Sequence, residues 1–468
     1  MSTRTVERTA LAGLLFAAVL FWLLVPTYPN YDAYYHLVWG REILGGALPS
    51  FDAYAAPTPH PLYLLITTVA ALLGEHGDRL LVLFTLLSHV GFTWAVYRLG
   101  SAVWDRRAGA LAAFLAGSSF ALVLYAVRAY VDVPYLALVF WAAALEAEKP
   151  LRGRRVLAIL ALAGLLRPEG WLLSCLYLLF LWLKRRSSGD RVVDPIELLL
   201  VVAAPIVWMA CDWIVTGDPL WSLNATSKLA EELGRDTGLA SALREGVKFV
   251  AGTAREPVAA AAVAGLVVAW RKRDWNSPHI LAGLAIAGTF AFLTTSALGL
   301  SVLPRYLTVP AVVLCLLAGY LFSRTRVLFG VAVVGGLLFL AVRSDVIDRL
   351  TTELRFIHHT RDDLRSLVLK PQVQAARKCG PVSLANYRLV PDTRWYLDAS
   401  EGEVIARSDI TPVSGAAIVY TSNKLIDRYG KAAGASIKTN RAPEGFRFTA
   451  RTPGFAAYVS CSNQPQSR

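Results

Sequence analysis

The sequence predicts an all-α polytopic membrane protein that carries a small exoplasmic α/β domain at its C-terminal end. The first observation is composition, because 55% of the 468 residues are hydrophobic and only 17% are charged. The second is that apolar runs of about 15 to 22 residues recur through the first 343 positions, as expected of helices that cross a hydrocarbon core of about 30 Å. The third is a polar segment that follows the last of these runs.

The apolar runs predict about eleven transmembrane helices. The first run, Leu11 to Val25, is kept as a span because it is long and no small-residue cleavage site follows it. The stretch 60–73 is about 14 residues long and follows three prolines, so we interpret it as an interfacial or half-buried helix. The predicted spans are 10–26, 80–99, 108–125, 133–147, 155–166, 171–184, 195–215, 256–270, 279–298, 306–322 and 326–343.

The orientation follows from Lys and Arg, which accumulate in the short cytoplasmic loops of membrane proteins. With these spans, one side of the membrane collects Arg4, Arg8, Arg98, Arg106, Arg107, Lys149, Arg152, Arg154, Arg155, Lys184, Arg185, Arg186, Arg191, Arg271, Lys272, Arg273, Arg324 and Arg326. We therefore expect a cytoplasmic N-terminus in a multi-pass protein of the plasma membrane.

The polar segments predict two domains. Residues 1–343 form the transmembrane domain, with a first exoplasmic loop at about 27–79 and a second loop at 217–255. Residues 344–468 form an exoplasmic domain, in which 416–420 and 456–460 have strand patterns and 346–378 is compatible with helix. This tail is basic, which suits an anionic lipid surface or acceptor but equally suits a solvated basic face.

The five cysteines divide by location. Cys175, Cys211 and Cys315 lie in apolar spans, where we expect them to pack as small hydrophobic side chains. Cys379 and Cys461 bracket the tail, and a thiol pair outside the membrane is usually oxidised, so we predict a disulfide between them. The chain has no Cys-x-x-Cys pattern, which argues against structural zinc.

A carboxylate follows the first span in the stretch Asn30-Tyr-Asp-Ala-Tyr-Tyr-His-Leu-Val-Trp39. Asp32 and His36 are four residues apart, so they share one face if 31–40 is helical. A carboxylate beside an imidazole can accept a proton from a hydroxyl group. The alternative is that Asp32 caps a short helix whose aromatic residues anchor the membrane interface. Asp52, in a second Asp-Ala-Tyr triplet, is the rival carboxylate.

Further charges lie next to the predicted spans on the same exoplasmic side. They are Arg128 and Asp132, Arg167 and Glu169, and Arg305 next to Tyr306. Charges this close to hydrocarbon usually face a polar cavity. The planar guanidinium fork of arginine matches phosphate, so the three arginines predict an anionic, phosphate-bearing ligand. Salt bridges between loops, or snorkelling of a single arginine, are the structural alternatives.

In this order and on one side of the membrane, these features resemble the GT-C superfamily of integral-membrane glycosyltransferases. The resemblance rests on the exoplasmic aspartate, the stretch Pro57-Thr-Pro-His-Pro-Leu-Tyr63, the cytoplasmic stretch Trp104-Asp-Arg-Arg-Ala-Gly109, and the Arg128-x-x-x-Asp132 pattern. It covers roughly residues 10–175, with support from Pro304-Arg305-Tyr306. The superfamily includes protein O-mannosyltransferases, aminoarabinose transferases and actinobacterial mannosyl- and arabinosyltransferases. Its usual acidic pair, often Asp-Glu, is replaced here by Asp32-Ala33.

The resemblance implies an inverting transfer of a mannose- or arabinose-like sugar from a polyprenyl-phosphate donor to an acceptor hydroxyl. The implied roles are Asp32 as base, His36 as its orienting partner or an acceptor contact, and Arg305 as the first phosphate ligand, with Arg128 and Arg167 next. Asp132 and Glu169 either orient these arginines or bind sugar hydroxyls, and Tyr306 is a substrate contact. No cofactor is required. A divalent metal held by Asp32, Asp52 and a histidine such as His36 or His60 is the alternative.

The expected partners are the lipid-linked donor, membrane lipid, and an acceptor that is a glycan, a glycolipid or a protein. We expect the tail to recognise the acceptor, and we expect no nucleic-acid partner. Two other classes remain open. A lipid-linked glycan flippase or polymerase would favour arginines within the spans, and a non-catalytic membrane scaffold would not depend on Asp32.

Overall fold

The computed structural model describes residues 3–188, 194–274, 276–342, 344–430 and 439–461. These residues form a mainly helical molecule with one five-stranded sheet near the C-terminal end. Arg191 of the predicted cytoplasmic loop and the last residues of the predicted tail, 462–468, lie outside the described residues.

Sixteen helices precede the tail in the described residues. They are α1 (Thr3–Leu24), α2 (Tyr31–Leu44), α3 (Pro61–Ala71), α4 (Gly77–Val103), α5 (Arg106–Gly117), α6 (Phe120–Val127), α7 (Asp132–Glu148), α8 (Arg154–Leu166), α9 (Glu169–Ser188), α10 (Pro195–Thr216), α11 (Trp221–Glu232), α12 (Gly238–Ala254), α13 (Glu256–Lys272), α14 (Pro278–Ala297), α15 (Thr308–Ser323) and α16 (Arg326–Val342). Short 3-10 turns at Gly74–His76 and Pro304–Leu307 precede α4 and α15.

Several of these helices are suited to crossing a membrane. By length and composition, five of the helices in the described residues could span a bilayer, or up to seven if each of two bent pairs counts as one span. The predicted number of eleven includes shorter helices such as α7 and α8, which have 17 and 13 residues. The chain is thus a multi-pass membrane protein, whereas the number eleven remains a prediction.

The predicted span 108–125 is wrong as a single helix. The chain breaks there between α5 and α6, which meet at an angle of 62°. A second break lies between α12 and α13, which meet at 96°. The guanidinium of Arg255, at the second break, donates to the carbonyl of Leu115 and to Oγ of Ser118 at the first break. The predicted loop 217–255 is also not a plain loop, since it contains α11 and α12.

Close helix packing builds the centre of the bundle, where α4 packs on α5 and α7 and α5 packs on α15. At Gly319 of α15, an added Cβ would lie 2.7 Å from the backbone nitrogen of Ala112 in α5. Small residues therefore allow these two backbones to approach closely, as in other membrane helix pairs.

The tail combines helices with a mixed sheet. Its helices are α17 (Ser344–Val368), α18 (Pro371–Ala376), α19 (Val390–Leu397) and α20 (Asn423–Leu425), with a 3-10 turn at Tyr387–Leu389 and a π turn at Ile426–Gly430. Its strands are β1 (Val382–Leu384), β2 (Val404–Ala406), β3 (Gly415–Tyr420), β4 (Arg447–Arg451) and β5 (Phe455–Ser460), in the order β2-β1-β3-β5-β4. β1 is parallel to β2 and β3, whereas β5 is antiparallel to β3 and β4.

The predicted strands 416–420 and 456–460 are present as β3 and β5, and the predicted helical segment forms α17 and α18. Cys379 and Cys461 form a disulfide with their Cα atoms 5.2 Å apart. It joins the chain just after α18 to the end of β5.

The tail packs directly on the bundle. Leu354 and Ile357 of α17 and Trp395 of α19 belong to the same hydrophobic cluster as the bundle core. Helix α19 lies against α2, the helix that carries Asp32. The tail is therefore part of the surroundings of the predicted site.

Candidate active site

Asp32 lies in the first turn of α2, but it does not cap this helix. The cap is Asn30, whose Oδ1 accepts a hydrogen bond of 3.1 Å from the backbone N–H of Ala33. The backbone N–H and Nδ2 of Asn30 donate to the carbonyl of Arg128 at 2.8 and 3.0 Å. The interpretation of Asp32 as a helix cap is therefore wrong, and its carboxylate is free to make other contacts.

Arg305 provides the contact to that carboxylate. It lies in the 3-10 turn before α15, and its Nη1 donates to Oδ2 of Asp32 over 3.2 Å. The two side chains are 24% and 27% exposed, so a ligand can reach the pair. Nε of Arg305 is buried without a hydrogen-bond partner in the described part of the chain. A buried donor left unpaired is costly, which indicates a position for an anionic ligand.

Arg167 occupies a more enclosed position between two carboxylates. It is 5% exposed, contacts Oδ1 of Asp132, and donates to both oxygens of Glu169 at 3.2 and 2.6 Å. Asp132 and Glu169 are the first residues of α7 and α9. Because both partners hold its guanidinium, Arg167 is not placed to bind a donor phosphate in this arrangement, contrary to the sequence-based interpretation.

Tyr306 connects the two charged groups. Its ring centroid lies 4.8 Å from the guanidinium carbon of Arg167 and 5.7 Å from that of Arg305. Three carboxylates and two arginines therefore meet around one ring, where Oδ2 of Asp132 is also buried and unpaired within the described residues. The structure thus brings six of the predicted site residues together, Tyr306 included, from segments more than 270 positions apart.

His36 has a different role from the predicted one. It is fully buried, its Nδ1 lies 2.7 Å from the backbone oxygen of Asp32, and its Nε2 accepts from the backbone N–H of His60 at 3.1 Å. Burial lowers the pKa of His36 to about 4, so the ring is neutral. His36 therefore ties α2 to the loop before α3, and its ring nitrogens contact the backbone of Asp32 and of His60 rather than the carboxylate of Asp32.

His60 is the site residue that the sequence interpretation treated only as an alternative metal ligand. Its ring stacks on His36 at a centroid distance of 5.4 Å and meets the ring of Trp208 at 5.6 Å. Burial, reinforced by His36 and by the cations Arg167 and Arg305, keeps the pKa of His60 well below its usual value. Its Nδ1 is buried without a hydrogen-bond partner of its own among the residues that the structure describes. The sequence feature that could have pointed to His60 is its position between Pro59 and Pro61 in the first loop.

Arg128 and Asp52 are not at the centre of this site. Arg128 donates to the carbonyls of Tyr28 and Pro29 at 2.8 and 3.2 Å, so it secures the segment before α2. Asp52 is exposed, and its charge helps burial to raise the pKa of Glu401 in the tail. The charge of Glu42 also raises the pKa of Glu401. Glu42 is ten residues after Asp32 and thus about 15 Å along α2, so Asp52 and Glu401 lie towards the end of α2 opposite Asp32.

The described residues include no group of three or more His, Cys, Asp or Glu side chains placed to hold a metal ion. The structure therefore does not gather Asp32, Asp52 and a histidine into a metal site. The charges present are instead arranged as ion pairs around Tyr306.

The overall fold of this multi-pass membrane protein is shared with solved structures. The structure is similar to two crystal structures of ArnT from Cupriavidus metallidurans, each 14% identical in sequence. The ArnT structure bound to undecaprenyl phosphate has a TM-score of 0.63 and covers 97% of this chain and 99% of that chain. The apo ArnT structure has a TM-score of 0.61 and covers 98% of each chain.

The archaeal oligosaccharyltransferase AglB from Archaeoglobus fulgidus, solved with an inhibitory peptide and a dolichol-phosphate, is a more distant match. It has a TM-score of 0.48 and 12% identity, and the match covers 98% of this chain and 75% of that chain. No protein-family model and no curated protein sequence matches the chain. The predicted resemblance is thus confirmed for the fold, through the similarity to ArnT.

Proposed function

We propose that this protein is an inverting glycosyltransferase that moves a sugar from a polyprenyl-phosphate donor to an acceptor hydroxyl. The observation that carries the proposal is the accessible pair of Asp32 and Arg305. It offers a carboxylate and an incompletely paired guanidinium side by side, within a fold like that of a protein solved with undecaprenyl phosphate.

The two residues have complementary roles in a single displacement. The acceptor oxygen attacks C1 of the sugar while its proton passes to the carboxylate of Asp32. The bond between C1 and the phosphate oxygen breaks, and its electron pair leaves with the lipid phosphate. This leaving group is a stable anion, so it needs cationic contacts more than a proton. Arg305 supplies them, because its planar fork can hold Asp32 with Nη1 and the phosphate with its other nitrogens.

The other charged residues orient the sugar and the first pair. We assign Asp132 and Glu169 to accept hydrogen bonds from sugar hydroxyls, and this assignment is supported by Oδ2 of Asp132, which has no hydrogen-bond partner among the described residues. Arg167 holds both carboxylates, and Tyr306 separates it from Arg305.

The sidedness of the reaction follows from the predicted topology. We place about eleven spans in the plasma membrane, with the N-terminus in the cytoplasm and the catalytic site on the exoplasmic face. The catalytic domain is 1–343, and the domain at 344–468 lies outside the membrane. The sugar is mannose- or arabinose-like, and the acceptor is a glycan, a glycolipid or a protein.

Donor consumption by the purified protein in lipid nanodiscs tests this function. The protein is offered polyprenyl-phosphate mannose and polyprenyl-phosphate arabinose separately, together with a mixture of cell-envelope glycolipids as acceptor. We expect one donor to be converted to free polyprenyl phosphate with sugar appearing on an acceptor. If neither donor is bound or consumed, the proposal fails. Movement of an intact lipid-linked sugar across a sealed bilayer would instead support a flippase.

A further inference from the structure

The end of α2 opposite Asp32 is held by the tail. The guanidinium of Arg41 donates to the carbonyls of Arg394 and Trp395 at 3.1 Å each and to that of Ala399 at 3.3 Å. It also pairs with Asp398 at 2.9 Å. These are the last carbonyls of α19 and the residues just after it, where a cation also interacts favourably with the helix dipole.

A second arginine makes the reverse connection. Arg394 of α19 is 1% exposed and donates to Glu42 of α2 at 2.5 Å and to Oγ of Ser50 at 3.2 Å. Glu42 in turn accepts from the backbone N–H of Ser50 at 2.9 Å. A buried charge pair of this kind loses much if one partner is removed, since the other charge is left unpaired. Arg41 of α2 thus contacts α19, and Arg394 of α19 contacts α2.

We call these contacts of Arg41, Glu42 and Arg394 between α2 and α19 the clamp. Helix α3 contacts α2 between the clamp and Asp32. An added Cβ on Gly40 would lie 2.8 Å from the Cα of Thr68, so α2 and α3 touch backbone to backbone there. Thr67 of α3 also donates to the carbonyl of His36 at 2.9 Å. The contact with α3 lies between Asp32 at one end of α2 and the clamp at the other. A tilt of α2 about this contact with α3 would displace Asp32.

We propose that Arg41, Glu42 and Arg394 are positioning residues that set the place of Asp32 through helix α2, so that the tail acts on the rate of transfer. This inference rests on the proposed function. It assigns the tail a part in the chemistry itself, in addition to any role in acceptor binding. An error of about 1 Å in the position of a reacting group can reduce a rate by about 10²-fold, so a small tilt is sufficient.

The test compares full-length Arg394→Ala, Glu42→Ala and the double variant with wild type in nanodiscs. Arg447→Ala is the matched control, because this tail arginine is exposed on β4. We expect kcat, counted per donor-binding site, to fall about tenfold or more in either single variant, with donor Kd within twofold. The double variant should be no worse than the singles, since both remove one clamp. Single variants with kcat within twofold of wild type would overturn the inference.

Hydrogen–deuterium exchange of the same proteins supplies a readout that does not depend on turnover. We expect faster exchange of the α2 amides in Arg394→Ala and Glu42→Ala, with α7 unchanged as an internal reference. Unchanged α2 exchange overturns the clamp whatever the activity. If wild type consumes no donor but α2 exchanges faster in the variants, the proposed function is overturned. The clamp then remains as a set of contacts that orders α2.

Discussion

Replacement of Arg305 by alanine removes the cation that contacts Asp32 and that we propose to face the donor phosphate. Nη1 donates to Asp32, whereas Nε is buried and has no hydrogen-bond partner among the described residues. Loss of a single donor that stabilises charge in a transition state costs about 10² to 10³ in kcat, or about 3 to 4 kcal/mol. Arg305→Ala also leaves Asp32 without its partner. We therefore expect the rate of transfer to fall by about 10³.

Lysine at this position separates charge from geometry. Arg305→Lys keeps the positive charge, but one compact ammonium group cannot match the arginine fork that contacts two anions at once. We expect its rate to lie between those of wild type and Arg305→Ala. Arg244→Ala is a matched control, because this arginine of α12 is 66% exposed.

The assay is a single turnover, with enzyme in excess over radiolabelled donor and release of the lipid phosphate followed in time. The donor Kd is measured separately by equilibrium binding. Because the contact strengthens as charge develops on the phosphate, the rate should fall more than the affinity. A rate for Arg305→Ala within threefold of wild type at saturating donor would refute the assignment of Arg305.

Three other predictions concern stability. Arg167→Met leaves the buried Asp132 and the half-buried Glu169 without their cation and should lower the free energy of unfolding by about 3 to 5 kcal/mol; an unchanged denaturant midpoint contradicts this. Cys379→Ser opens a link between residues 82 positions apart and should cost about 4 kcal/mol, so an equal thermal midpoint with and without reductant in wild type argues against the disulfide. Burial lowers the pKa of His36 to about 4, so the unfolded chain gains a proton first, and stability is lost as pH falls from about 6.5 to about 4. His36→Asn should reduce this loss, and the same pH dependence in both proteins would exclude His36 as its source.

The positions of charged residues could be predicted from the sequence, because their cost near hydrocarbon limits where they occur. Asp32, Arg167 and Arg305 meet as that argument requires. Their partners could not be predicted, since pairing depends on which helix ends meet. The sequence analysis assigned Arg167 to the donor phosphate after Arg305, whereas its guanidinium pairs with Asp132 and Glu169, the first residues of α7 and α9.

The broken helices show a second limit. The stretch 108–125 is apolar throughout, so its hydropathy is that of one span. At its break the chain is contacted by Arg255, about 140 positions later in the sequence. The local sequence of 108–125 therefore does not show the break. Two of the five strands of the tail, β3 and β5, were predictable because short apolar runs with β-branched and aromatic residues are a local signal, whereas β1, β2 and β4 were not predicted. The clamp between α2 and α19 was not, because Arg41 and Arg394 look like ordinary surface arginines in the sequence.

The most direct test of the account compares Asp32→Asn with Asp52→Asn in single-turnover transfer from the donor that wild type consumes. The amide keeps the size of the side chain but cannot accept the acceptor proton. We predict a loss of about 10²-fold or more for Asp32→Asn and a rate close to wild type for Asp52→Asn, with both proteins folded and binding donor. Full activity of Asp32→Asn would contradict the central claim, and a loss confined to Asp52→Asn would move the base to the other carboxylate.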